Sequence, residues 1–240
     1  MEAENKTGKQ DAAAMAEVAR GRTNLYNLLT CVFGQLPDES LLGRIKSSDL
    51  QELLDTCSQM ENPGLKSGID YVKSYIAGME SKSSEALLNE LSVDRTRLLR
   101  APGDRNLKPP YEGLYQNDKY TGASVLQLKN FYREAGLLPD EAVTEPPDYL
   151  CVELDFMHQL CHRESEQWLS GANGTATLAI EERFLREHLG SWVGEFCAQA
   201  EKYASTDFYR GFLAILDAFI AIDMEYLQEI NSGSLPRPAA

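Results

Sequence analysis

Apolar residues recur every three or four positions through most of this chain, which is the period of an α-helix. From Asp11 to Phe33, the residues Val18, Leu25, Leu28, Leu29 and Val32 share one face. Pro37 ends that run, and Asp38 is placed to cap a short helix carrying Leu41, Leu42 and Ile45. The pattern predicts further helices over Ser48–Met60, Leu65–Met79 and Ser84–Leu99, with Asn62-Pro63-Gly64 as a stop between the first two. No stretch of useful length shows the period-two alternation of a strand. The fold class expected is therefore all-α, a single multi-helix domain over 11–231, with 1–10 and 232–240 as disordered tails.

Between Arg100 and Tyr120 the helical period stops, in a segment with three prolines and two glycines. A long structureless connection inside a compact chain is usually functional or a hinge. A helix resumes over Ser124–Ala135, and a second connection rich in proline and acid runs from Gly136 to Pro147. The chain thus reads as N-terminal helices over 11–99, a loop and hinge region over 100–147, and C-terminal helices over 146–231. In the last part, one helix opens at Pro146-Pro147 and reaches Trp168, since proline is tolerated in a first turn. A second covers Thr177–Tyr203, with a kink expected near Gly190. A third opens at Ser205 or Thr206 and ends near Ile230.

Three charged residues interrupt apolar arcs. On the 146–168 helix, Tyr149, Leu150, Leu154, Phe156, Met157, Leu160, Cys161 and Trp168 form one arc with Glu153 in its middle. On the last helix, Asp223 lies among Phe208, Tyr209, Phe212, Leu216, Phe219, Tyr226 and Ile230. Arg22 sits beside Val18, Leu25 and Leu29 on the first helix. A charge on a core-facing stripe is costly unless paired, so a buried pair between Arg22 and Asp223 or Glu153 is expected.

Enzyme signatures are sparse. No phosphate-binding glycine loop and no nucleophile elbow occurs. Asp155, His158 and His162 lie together on the outer face of the 146–168 helix, the histidines one turn apart at metal-ligand spacing. Gln159 stands where a zinc protease would have glutamate, and no second Glu-x-x-His completes a di-iron site. A helical metal-binding enzyme using these three residues is the alternative reading; the leading one has no cofactor and no catalytic residue.

The net charge of −14 narrows the partners. Nucleic acid and anionic membrane surfaces bind through lysine and arginine, so an acidic chain fits neither and suits a basic ligand. The start lacks an apolar signal core, and the most apolar run, FLAILDAFIAIDM, is broken by Asp217 and Asp223, so no membrane insertion is expected. The five cysteines form no CxxC pair and sit among apolar neighbours, as reduced packing residues of a cytoplasmic protein do.

At these residues the chain resembles the TorD/DmsD family of redox-enzyme maturation chaperones. That family's hallmark is Glu-Pro-x-Asp-His opening a helix that continues Glu-Leu-x-Phe-Met. Here it reads Glu145-Pro146-Pro147-Asp148-Tyr149, then Glu153-Leu154-Asp155-Phe156-Met157. A Pro-rich aromatic segment matches Pro109-Pro110-Tyr111-Glu112-Gly113-Leu114-Tyr115. A late tryptophan helix and a Phe-Tyr helix match His188-Leu189 with Trp192, then Phe208-Tyr209. An early Arg-x-x-x-Tyr matches Arg22 and Tyr26. The chain departs at Tyr149, where the family has histidine, and at Gly113, where serine is common.

The resemblance implies a client-specific chaperone that assists assembly and cofactor insertion of a molybdopterin oxidoreductase. It implies binding of the precursor, through its twin-arginine signal peptide or its apo-enzyme, by a monomer or a domain-swapped dimer. Such a ligand joins a basic region to an apolar stretch and needs an acidic rim beside an apolar groove. Glu112, Glu141, Glu145 and Asp148 are the candidate rim. Tyr111, Tyr115, Tyr149 and Leu150 are the groove wall, and Pro146 and Pro147 belong to the same peptide-binding set. Glu145 and Asp148 are expected exposed at a helix N-terminus, where the dipole favours carboxylates.

Overall fold

The computed structural model describes residues 2–100, 107–116, 122–138 and 144–234, with side chains described from residue 10 onward except at 122–124. Within these residues the chain is all-α, with eleven α-helices and no strand. They are α1 (Glu2–Gly34), α2 (Glu39–Ile45), α3 (Ser48–Ser58), α4 (Pro63–Gly78), α5 (Ser84–Leu99), α6 (Glu112–Tyr115), α7 (Gly122–Glu134), α8 (Leu150–Ser170), α9 (Thr175–Glu187), α10 (Leu189–Ala200) and α11 (Asp207–Ser232).

Short polar side chains set many of the starts. Asp38, Ser47, Asn62, Ser83 and Thr206 each accept a hydrogen bond from the backbone N–H three residues on, satisfying a donor with no partner inside the helix. Gly171 and Gly233 close α8 and α11 in the left-handed conformation, at φ 78° and 79°.

Two long pairs of helices build the core: α1 lies along α8, and α11 along α4. The second pair crosses closely at two glycines. A Cβ on Gly211 would stand 2.6 Å from the Gly68 carbonyl oxygen, and one on Gly68 would stand 2.8 Å from that of Gly211. Helix α5 then ties both pairs together through neighbouring residues of opposite charge. Buried Asp94 accepts from the Ser205 and Thr206 amides and the Thr206 hydroxyl, at 2.7–3.1 Å, and so anchors the start of α11. Buried Arg95 donates to the Phe33 and Gly34 carbonyls at 2.7–3.1 Å, at the end of α1. Each charge has the sign that its helix terminus attracts.

Several boundaries differ from the pattern-based expectation. The stretch 1–10, expected as a disordered tail, is helical from Glu2 on and continues into α1 without a proline to stop it. Helix α8 starts at Leu150 rather than at Pro146, because the Tyr149 amide turns back to the Pro146 carbonyl at 3.0 Å. The single helix expected over 177–203 is two, broken at His188 (φ −124°, ψ −107°). A Cβ on Gly190 would lie 2.5 Å from the Leu185 carbonyl oxygen, so glycine permits the tight approach of α10 to α9. Val18, expected on the inner face of α1, is exposed. Four of the five cysteines are buried, and burial pushes the Cys151 thiol up to about 12. No described helix is long and apolar enough to cross a membrane.

Candidate functional site

The Pro-rich segment and the start of α8 fold onto each other. Pro109 and Pro110 carry no N–H and cannot continue a helix, so the backbone there stays extended. It docks through two main-chain hydrogen bonds that together make one antiparallel bridge. The Glu112 amide donates to the Asp148 carbonyl at 2.9 Å and the Leu150 amide donates to the Pro110 carbonyl at 3.0 Å, which pairs Tyr111 with Tyr149. The two tyrosine rings lie 5.3 Å apart. The Tyr132 hydroxyl of α7 donates to the Pro147 carbonyl at 2.8 Å, holding the same turn from the other side. Tyr111, Glu112, Tyr115, Glu145, Pro146, Pro147, Asp148 and Tyr149 are thereby gathered into one region.

Their side chains do not form one surface. Asp148 is only 2% exposed, and Glu112 and Glu153 are buried beside it. The expectation of an exposed Asp148 is corrected, because the docked Pro-rich segment covers it. Burial raises the Asp148 pKa, with the Glu112 charge adding to it. The amides of Asp148 and Gly113 oppose the rise, although neither reaches a carboxylate oxygen with full hydrogen-bond geometry. Burial also holds Glu153 well above the usual carboxylate range, helped by Glu112, while the Trp192 indole N–H donates to it at 3.1 Å. Glu112 meets His188 Nδ1 at 3.0 Å and accepts from the Gln116 amide. His188, which completes no metal or catalytic motif in the sequence, is thus the one histidine that joins this cluster, at the break between α9 and α10. Tyr115 is also buried, packed on Trp192 and Phe196 with its hydroxyl on the Lys108 carbonyl at 2.6 Å, and Leu150 lies in the core. These residues hold the loop in place rather than line a groove.

The open part of the region lies between the end of α1 and the first turns of α8. There a cleft of about 310 Å³ is walled by Leu137, Tyr149, Val152 and Phe156. Glu145 and Asp155 stand on its lining as carboxylates. The neighbouring His158, with Nδ1 at 3.6 Å, holds Asp155 below its usual range, with burial opposing and the Gln159 amide assisting at 2.6 Å. Leu36 and Leu138, next in sequence to lining residues Gln35 and Leu137, are 64% and 61% exposed. Glu145 is not free, as had been expected. Its carboxylate accepts from Arg100 Nη2 at 2.5 Å and Nη1 at 3.1 Å. Glu141 lies outside the described residues.

A second charged cluster lies deep between α1, α8, α9 and α11. Arg22 Nε meets Asp223 at 2.5 Å, Nη1 meets Glu164 at 2.8 Å, and Nη2 meets Glu181 at 2.6 Å. The Tyr26 hydroxyl donates to Asp223 at 2.6 Å and the Trp168 indole to Glu164 at 2.9 Å. Glu153, the other expected partner of Arg22, sits instead with Trp192. Glu164 and Glu181 were overlooked in the sequence, yet both were visible there. Glu164 is three residues from Cys161 and four from Trp168, inside the arc already drawn, and Glu181 lies three from Leu178 and Phe184.

Residues 50–198 match the family model described as nitrate reductase delta subunit. That span runs from α3 into α10 and contains the whole docked region. The chaperone protein TorD of Shewanella piezotolerans is 24% identical over 220 residues, covering 88% of this chain and 94% of its own. TorD of Vibrio atlanticus is 24% identical over 208 residues, covering 86% and 94%. The perchlorate reductase assembly chaperone protein of Dechloromonas aromatica is 29% identical over 123 residues, covering 51% and 55%. The chain belongs to the TorD/DmsD family of molybdoenzyme maturation chaperones. Its members are chaperones and not enzymes.

Within this TorD-type protein the metal reading of Asp155, His158 and His162 finds no third ligand. His158 Nδ1 lies 3.6 Å from Asp155, His162 faces solvent, and no cluster of three or more potential ligands suited to a metal occurs among the described residues. The hallmark acids of the TorD-type turn are instead split between two tasks. Asp148 and Glu153 are internal, and Glu145 and Asp155 face the cleft.

Proposed function

We propose that this protein is a client-specific chaperone for a molybdopterin-containing oxidoreductase. In this reading it binds the basic and apolar N-terminal region of the precursor, its twin-arginine signal peptide, in the cleft bounded by Glu145, Tyr149, Asp155 and Phe156. The observation that carries the reading is the pairing of an apolar wall with two carboxylates at one opening. A ligand that joins arginines to an apolar stretch needs both at once: carboxylates to receive a guanidinium through paired hydrogen bonds, and apolar surface to cover the neighbouring side chains. A volume of about 310 Å³ admits a few side chains rather than a folded domain, which suits an extended segment.

The buried acids have a supporting role in this account. Glu112, Asp148 and Glu153, with His188 and Trp192, fix the Pro-rich segment against α8 and so fix the turn that carries Glu145 and Tyr149. Binding would shield the precursor in the cytoplasm while its cofactor is inserted. The test is to purify the tagged chain from its native host and identify the polypeptide that comes with it. The expected companion is a molybdopterin oxidoreductase precursor with its N-terminal signal intact. Recovery of that enzyme only in its mature form, without the signal, would contradict the assignment to the signal peptide.

A further inference from the structure

Arg95 on helix α5 and Arg100 at its C-terminal cap both reach across to other parts of the fold, and they are built differently. Arg95 is buried on three carbonyl contacts and has the character of a clamp. Arg100, at the C-terminal cap of the same helix, keeps a side chain 37% exposed and meets a carboxylate, Glu145, that is 30% exposed. Two guanidinium nitrogens of Arg100 face the two oxygens of Glu145, and its Cζ stands 5.0 Å from the centroid of the Tyr149 ring. A forked pair with a carboxylate beside an aromatic face is the way a protein recognises an arginine side chain. Both receiving groups, Glu145 and Tyr149, border the apolar cleft, with Tyr149 only 1% exposed beside Arg100.

We propose that Glu145 and Tyr149 form a guanidinium-binding site of which Arg100 is the resident occupant, and that an arginine of the client peptide binds by displacing it. The proposal rests on the peptide-binding reading of the cleft. Exchange is easy at this position because an incoming guanidinium remakes the contacts that Arg100 gives up, and the released Arg100, already 37% exposed, is solvated in turn. The seat favours arginine over lysine, since an ammonium group offers neither the planar fork nor the stacking face. Occupancy by Arg100 lowers the apparent affinity by the fraction of molecules whose seat is filled. The free chaperone is in this way partly closed to weak basic ligands, and the apolar stretch of a true client supplies the remaining attraction.

The experiment uses a fluorescein-labelled peptide with an arginine pair followed by an apolar run, and its lysine-pair counterpart, titrated against the full chain by fluorescence polarisation. Arg100→Gln should bind the arginine peptide roughly five- to tenfold more tightly than wild type, with a smaller gain for the lysine peptide. Adding Glu145→Gln to Arg100→Gln should abolish that gain. If wild type binds and Arg100→Gln binds equally or more weakly, Arg100 is a clamp or a contact of the ligand, and the displacement idea falls while the cleft reading stands. If no variant binds either peptide, both fall. Should Arg100→Gln fold poorly, the wild-type protein decides the matter by NMR. The Arg100 Nε–H resonance should move towards that of a solvated arginine as peptide is added. An unmoved resonance at saturation overturns the proposal.

Discussion

Substituting Glu181 by glutamine should stabilise this protein at neutral and alkaline pH, and the gain should disappear in acid. The cluster around Arg22 sets one guanidinium against Asp223, Glu164 and Glu181, all sealed from water. One cation does not neutralise three carboxylates, and burial makes the excess charge costly. Burial first, then the charges of Glu164 and Asp223, push Glu181 up to about 8, while Arg22 opposes the rise. The folded chain therefore holds this proton more tightly than the unfolded chain, where glutamate titrates near 4.5. The stabilisation from Glu181 is fully present below about pH 4.5 and is lost as the pH rises through about 8. At 1.36 kcal/mol per unit, the whole window is worth on the order of 5 kcal/mol, of which about 3 is lost by pH 7. Glutamine keeps a carbonyl oxygen for Arg22 and cannot ionise in either state. Urea unfolding of wild type and Glu181→Gln at constant ionic strength, from pH 4.5 to 8.5, measures the difference directly. The variant should gain on wild type steadily across that range and level off above about pH 8. A difference that stays constant with pH would mean that Glu181 is ionised in the folded protein throughout, and the reasoning would fail.

Arg22→Met should destabilise the fold by about 3–5 kcal/mol at pH 7, because it strands Asp223 and Glu164 without their cation; a chemical melt within 1 kcal/mol of wild type would contradict this. Gly211→Ala should cost about 1–3 kcal/mol, since its methyl would press on the Gly68 carbonyl and separate α4 from α11, and thermal melting reads the loss. Asp94→Ala should cost about 1–2 kcal/mol and increase hydrogen exchange first at the Ser205 and Thr206 amides; exchange spread evenly over the chain would contradict a local anchoring role.

Where a signal is local, it was readable from the residues alone. The run Ser84–Leu99 is helical over those same bounds, since Ser83 supplies a cap and the apolar period is unbroken. Arg22 and Asp223 were brought together by a simple argument, that charges on apolar faces must find each other. The sequence was silent where the answer depends on how distant pieces dock. Asp94 and Arg95 look like ordinary charges on α5, and only the placement of two helix ends beside them explains their burial. Asp148 has the sequence of an exposed helix start. It is internal because the Pro109-Pro110 segment, far away in sequence, lies across it. The pairing of His188 with Glu112 was hidden for the same reason, since Glu112 comes from that crossing segment. For the site, the residues that gather were legible, but their division into a buried brace and an open cleft was not. Phe156, on the apolar arc of α8, also lines the cleft together with Val152, beside the end of α1 at Gly34.

The central claim is that the carboxylates at the cleft mouth receive a basic, apolar peptide. Isothermal titration of the client's signal peptide against wild type and the double variant Glu145→Gln/Asp155→Asn tests it most directly. Both residues are partly exposed and outside the buried clusters, so the variant should melt within about 1 kcal/mol of wild type. Its affinity should fall by about tenfold or more, and the wild-type affinity should weaken as salt is raised while that of the variant changes less. Equal affinity of the two proteins at low salt would contradict the account.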